Sequence, residues 1–136
     1  MNKIEHIGIA VKNLETSNEL FAKLFGKKNY KVERVESEGV STSFFLIGNN
    51  KIELLEATNP DSAIAKFIEK RGEGLHHIAF DVTDIHEEIK RLKREGFVFA
   101  RDEPFIGADN KLVCFLHTKS TNGILIELCQ EMHLKN

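Results

Sequence analysis

The 136-residue sequence is poor in several things: it has no tryptophan, two prolines and two cysteines. Two thiols, Cys114 and Cys129, are too few for a disulfide framework, and both sit in apolar runs where a cysteine reads as an inert core residue. No uninterrupted apolar run approaches the roughly 20 residues that a membrane span needs. There is no excess of charge of one sign either: 19 Lys and Arg face 21 Asp and Glu, interspersed along the chain. A nucleic-acid-binding protein would show a basic stripe, so that class is disfavoured. The opening Met1-Asn2-Lys3-Ile4-Glu5-His6 meets charge before any signal-peptide apolar stretch. No glycine-rich phosphate loop follows a strand, and Ser41-Thr42-Ser43 has no evident triad partner. What is present is 41% apolar and 29% charged residues, enough for one globular domain. A soluble cytoplasmic protein is expected, with neither nucleic acid nor membrane as a partner.

Periodicity organises that composition. Residues 3–11 alternate as a strand, and Asn13 is a plausible N-cap for a helix over 14–25 that stops at Gly26. Strands are predicted near 29–36, 41–47 and 50–56, then a short helix over 62–70 capped by Asp61. The first unit then begins again. His77-Ile-Ala-Phe-Asp-Val-Thr-Asp84-Ile85 echoes His6-Ile-Gly-Ile-Ala-Val-Lys-Asn13-Leu14, 71 positions on (77 − 6). Asp84 replaces Asn13, Gly96 replaces Gly26, and strands are predicted near 97–100, 111–117 and 123–130. The ends match too: Asn50-Lys-Ile-Glu53-Leu-Leu55 resembles Gly123-Ile-Leu-Ile-Glu127-Leu128, with Glu127 standing 74 positions after Glu53 (127 − 53). The reading is α+β: two tandem βαβββ modules, about 3–57 and 75–130, joined by a connector over about 58–74 within a single domain, 1–136. His86 falls in a charged helical run that should carry i,i+4 pairs, and His133 in a polar tail.

Strand alternation converts the repeat into a site. His6, Gly8 and Ala10 share one face of the first strand, opposite Ile7, Ile9 and Val11. In the repeat His77 and Ala79 share a face, while His76 falls on the apolar parity. Small neighbours leave room beside each histidine for an ion or ligand. Glu53 and Glu127 likewise take the parity opposite to their apolar neighbours. A lone strand histidine is most often structural and a lone glutamate most often solvated. Four residues recurring as two repeat-related pairs point instead to metal binding. Two imidazoles and two carboxylates suit Zn, Co, Mn, Ni or Fe(II), with positions left for water or substrate.

These residues in this repeat resemble the vicinal-oxygen-chelate (glyoxalase/bleomycin-resistance) superfamily, and within it the methylmalonyl-CoA epimerase branch. The resemblance runs from about Ile4 to Leu128. It is carried by His6-Ile-Gly-Ile-Ala-Val11, Gly48-Asn-Asn-Lys-Ile-Glu-Leu-Leu-Glu56, Arg71-Gly-Glu-Gly-Leu-His-His-Ile-Ala79, Phe115-Leu-His117 and Gly123-Ile-Leu-Ile-Glu-Leu128. It implies a curved, incomplete β-barrel cleft. It also implies a divalent metal held by His6, His77 and Glu127 with Glu53 as fourth ligand, and a dimer that interconverts the C2 epimers of methylmalonyl-CoA. Three positions depart from the branch's pattern: Thr42 stands where some epimerases carry a catalytic Glu, Phe105 where an Arg is common, and Thr118 where a Pro follows His117.

The implied chemistry removes the C2 proton to give an enolate whose charge is stabilised by the metal, and returns a proton on the other face. With Thr42 unable to act as a base, Glu127 and Glu53 are the candidate shuttle, or both are permanent ligands and another group moves the proton. His117, Lys119 and Ser120 are candidates for touching the acyl-CoA. Two rivals share the fold: a glyoxalase I-like lactoylglutathione lyase and a metal-free small-molecule-binding protein.

Overall fold

The structure is a computed structural model that describes residues 1–132; His133 lies outside the described residues. Its elements run β1 (Lys3–Ala10), α1 (Leu14–Phe25), β2 (Lys31–Val35), β3 (Val40–Ile47), β4 (Asn50–Ala57), α2 (Ala63–Arg71), β5 (Gly74–Asp81), α3 (Ile85–Arg94), β6 (Phe105–Ile106), β7 (Lys111–Phe115) and β8 (Ile126–Glu131). They form two compact units. One is His6–His76, and the other is Met1–Glu5 together with the chain from His77 onward. No helix of the described residues is long and apolar enough to cross a membrane.

In the first unit the strands lie in the order β2-β3-β4-β1, with β1 parallel to β4 and the other pairs antiparallel. The parallel pair needs a crossover, and α1 provides it. Asn13 caps α1 by accepting from the Thr16 amide at 2.9 Å. At the other end Gly26 takes φ +73° and its N–H closes on the Ala22 carbonyl at 2.9 Å, a left-handed conformation that glycine adopts without a Cβ clash. The apolar parity of β1 and β4 packs under this helix. Val11, Leu14, Phe45 and Leu54 form its buried centre, with Ile9, Phe21, Phe25 and Ile52 around them.

The second unit repeats the arrangement as β6-β7-β8-β5, with β5 parallel to β8. Asp84 caps α3 by accepting from the Glu87 amide at 3.1 Å. Ile85, Ile89 and Leu92 face Val82, Cys114, Leu116 and Leu128, each buried aliphatic contributing about 1.5–3 kcal/mol of transfer free energy. The opposite face of α3 is charged, as expected, but its pairs are i,i+3: Lys90 with Glu87 at 3.3 Å, and Arg91 with Glu88.

Three local expectations are corrected. The cap of α2 is Ser62, whose hydroxyl accepts from the Ala65 amide at 3.2 Å; Asp61 instead donates its own amide to the Asn59 side chain, in the turn before the helix. No named strand forms over 97–100. Only Phe99 bridges, to Leu116, and the strand beside β7 is Phe105–Ile106. Residues 101–104 lie between these two short segments outside any strand. Finally, Ala10 does not leave open space. It packs with Leu55 and Ile64, so α2 fills that end of the histidine-bearing face.

Candidate functional site

Within each unit the backbone register aligns the candidate residues. In the first, Gly8 stands opposite Glu53, Glu53 opposite Phe44, and Phe44 opposite Lys31. In the second, Ala79 stands opposite Glu127 and Glu127 opposite Phe115. Registered partners point to the same side of a sheet, and residues two apart on one strand do so as well. His6 and His77 therefore share the face of their own unit's carboxylate, each displaced by one small residue, Gly8 or Ala79.

Each histidine meets that carboxylate. His6 Nδ1 lies 3.2 Å from Glu53 Oε2, with both side chains 6% exposed. In the second unit His77 Nε2 lies 3.4 Å from Glu127 Oε1, at 5% and 8% exposure. Buried carboxylates are costly unless paired, hydrogen-bonded or bound to a metal. Each buried imidazole–carboxylate couple offers donors of a kind that suits a divalent transition metal. His76 has a different environment. Its ring stands edge-on to Phe67 at 5.0 Å, and burial lowers its pKa from 6.5 to about 4, so it is neutral near pH 7. The two adjacent histidines thus sit in different surroundings.

Aromatic rings flank both couples, a feature that strand-by-strand reading missed. Phe44 is fully buried beside Glu53, with the Lys31 ammonium 4.6 Å from its centroid and the Tyr30 ring at 5.9 Å. Phe115 meets His77 edge-on at 5.8 Å and stacks at 6.2 Å on Phe105, over which the Arg101 guanidinium sits at 3.8 Å. Phe44 and Phe115 are themselves separated by the 71-residue offset of the repeat, the one signal that could have found them.

The remaining candidates divide. His117 begins a tight turn over Thr118–Ser120, and its Nδ1 accepts from the Lys119 amide at 3.1 Å. The Ser120 hydroxyl donates to the His117 carbonyl at 2.9 Å and accepts from the Val98 amide at 3.3 Å. Both side chains shape the turn, whereas Lys119 is exposed. Thr42 is 1% exposed, and its hydroxyl has no hydrogen-bond partner. Ser43, one residue on, donates to the Asn18 side chain at 2.5 Å and so ties β3 to α1. Burial pushes the Cys114 thiol up to about 12 and raises Cys129 as well, with the Glu127 charge adding to both; these are unreactive core thiols.

Residues 5–115 match the model of the glyoxalase/bleomycin resistance protein/dioxygenase superfamily. The chain belongs to that superfamily. Among its relatives is the mitochondrial methylmalonyl-CoA epimerase of Dictyostelium discoideum, 42% identical over 130 residues, which are 94% of this chain and 78% of that protein. The ethylmalonyl-CoA/methylmalonyl-CoA epimerase of Cereibacter sphaeroides is 39% identical over 96% of this chain and 98% of its own length. Among solved structures, a Streptomyces coelicolor methylmalonyl-CoA epimerase variant in complex with 2-nitronate-propionyl-CoA superposes with a TM-score of 0.93. It is 33% identical and is matched over 98% of this chain and 99% of that one. The chain is thus an epimerase-like isomerase of this glyoxalase-fold superfamily.

Proposed function

We propose that the two modules work as a single domain in which His6, Glu53, His77 and Glu127 act as one four-donor set for a divalent ion such as Co, Zn, Mn or Ni, and that the protein epimerises methylmalonyl-CoA at C2. One observation carries the reading: a buried imidazole–carboxylate couple repeated in both modules of a chain whose relatives of full or nearly full length are epimerases. When bound, the ion supplies Lewis-acid stabilisation of negative charge on the thioester oxygen.

The chain's own residues account for the rest. The C2 proton is acidified by the thioester carbonyl and the carboxylate on either side of it. One carboxylate, Glu53 or Glu127, takes that proton, and the other returns one from the opposite face, giving the other epimer. The repeat suits this task because it supplies the same acid–base group twice, once per module. Gly8 leaves space above its strand for the acyl group, whereas Ala79 is covered by Val113, Cys129 and Phe105. Phe44 and Phe115 wall the carboxylates and limit water at the enolate. Lys119, on the turn shaped by His117 and Ser120, contributes to holding the CoA portion. Exposed Leu20 and Leu24 on α1, 62% and 70% accessible, offer an apolar surface for a second copy, in keeping with a cytoplasmic homodimer.

The deciding experiment follows exchange of the C2 proton of methylmalonyl-CoA in deuterated water, with and without chelator, beside turnover of the methylglyoxal–glutathione adduct. Chelator-sensitive exchange is expected on methylmalonyl-CoA. Turnover of the glutathione adduct alone would assign the chain to lyase chemistry, and no activity with no retained metal would favour a binding protein. In the same assay Glu127→Gln should lower exchange at least a hundredfold. Near-normal exchange would remove Glu127 from the proton shuttle.

A further inference from the structure

The ring stack beside His77 does more than wall a carboxylate. In the second unit Phe105 on β6 is registered with Val113 on β7, Phe115 on β7 with Glu127 on β8, and Glu127 with Ala79 on β5. Registered partners and residues two apart on a strand share a face, so Phe105, Phe115 and His77 project from the same side of the sheet. Diagonal neighbours on adjacent antiparallel strands lie within reach of aromatic side chains, and here the rings meet in series. The His77 imidazole and the Phe115 ring stand perpendicular, at 88° and 5.8 Å between centroids. Phe105 stacks on Phe115 at 28° and 6.2 Å. The Arg101 guanidinium lies over Phe105 at 3.8 Å. Arg101 is exposed, Phe105 is half-buried and His77 is buried. The series therefore runs from the surface to the histidine whose Nε2 is 3.4 Å from Glu127.

We propose that Phe105 is a positioning residue for His77, acting through Phe115. The assignment rests on the reading of His77 as a metal donor above. The torsion that turns an imidazole about its Cβ–Cγ bond is broad and roughly two-fold. Half a turn puts carbon where nitrogen stood, and a smaller turn moves the nitrogen lone pair off its target. A perpendicular neighbour restricts that motion, because turning either ring loses the edge-to-face geometry that such pairs prefer. Phe115 can supply this restraint only if its own ring, which has the same soft torsion, is itself held. Phe105 holds it by stacking, and the Arg101 guanidinium holds Phe105 by cation–π attraction. Apolar bulk alone would not do the same. An aliphatic side chain at 105 would still pack against Ala79, Val113 and Cys129, but it has no flat face with which to align Phe115.

The test is Co(II) binding to the full chain, read by visible absorption and by competition with a chelating dye. The wild type should bind Co(II) stoichiometrically. Phe105→Leu keeps apolar volume at the position and loses the ring. Its Kd for Co(II) should rise about two- to tenfold, the range of one aromatic pair, with altered ligand-field bands. Phe105→Tyr should restore both affinity and bands. Ile89→Ala, in the core beneath α3 of the same unit, should lower urea stability at least as much as Phe105→Leu while keeping the wild-type Kd and bands. Wild-type affinity and bands in Phe105→Leu would overturn the proposal. Equal losses in Phe105→Tyr or in Ile89→Ala would also overturn it, because either would trace the effect to general loosening rather than to ring alignment. A wild type that fails to hold Co(II) would bring down the metal reading and the proposal together. A wild type that holds it, with Phe105→Leu unchanged, would bring down the proposal alone.

Discussion

At the scale of single residues, the contrast between His76 and His77 carries the most information. They are adjacent, yet one rests edge-on against Phe67 and the other meets a buried carboxylate. Strand alternation alone separates them. The expected outcome is that His6→Ala and His77→Ala each lose stoichiometric metal on purification without a histidine tag. His76→Ala should retain it, with elemental analysis as the readout. Equal loss in all three would mean that parity chose the wrong histidine. Those assignments were legible because both members of each pair lie on strands whose alternation is regular. Lys31 and Phe44 were not legible, because their placement beside Glu53 depends on antiparallel register, which a single strand's pattern does not contain.

At the scale of elements, each module fastens its long helix to its last strand in the same way. Glu56 Oε1 accepts from the Leu14 amide at 3.2 Å, and Gln130 Oε1 accepts from the Ile85 amide at 2.8 Å. Each acceptor lies three residues after the site carboxylate and so emerges on the opposite face of its strand. One strand therefore aims a carboxylate at the site and anchors the helix that covers its back. Because the second module uses Gln for this anchor, Glu56→Gln should be nearly neutral in urea unfolding. Glu56→Ala and Gln130→Ala should each cost about 1 kcal/mol, the loss of a helix-terminus acceptor. Losses well below that would show that water replaces these side chains. The helices themselves were readable from Asn13, Asp84 and their apolar stripes. Asp61 was misjudged because the Asn59–Pro60 turn delays the start of α2 by one residue.

At the scale of the whole molecule, one pH liability is the imidazole of His76, which burial holds neutral. His76 has a folded-state pKa of about 4 against 6.5 for the exposed group. Between those values the unfolded chain binds a proton that the folded chain refuses, so the unfolding free energy falls as the pH drops from about 6.5 towards 4. The loss approaches roughly 3 kcal/mol at the low end of that interval. His76→Leu should flatten this segment of the stability–pH curve relative to wild type in denaturant titrations. Curves that stay parallel would show that His76 is not the group responsible.

The repeat, the caps of α1 and α3 and the strand parity of His6, Glu53, His77 and Glu127 follow from the amino-acid sequence, because each is a local period or a short-range cap that the chain repeats about 71 residues on. The tertiary structure decided which strand neighbours which. It thereby set the pairing of each histidine with its carboxylate across a parallel register, the filling of the space beside Ala10 by α2, and the turning of Lys31 over a buried ring. These depend on contacts between residues far apart in the chain, and hydrophobic alternation along one strand carries no record of the strand it will lie against.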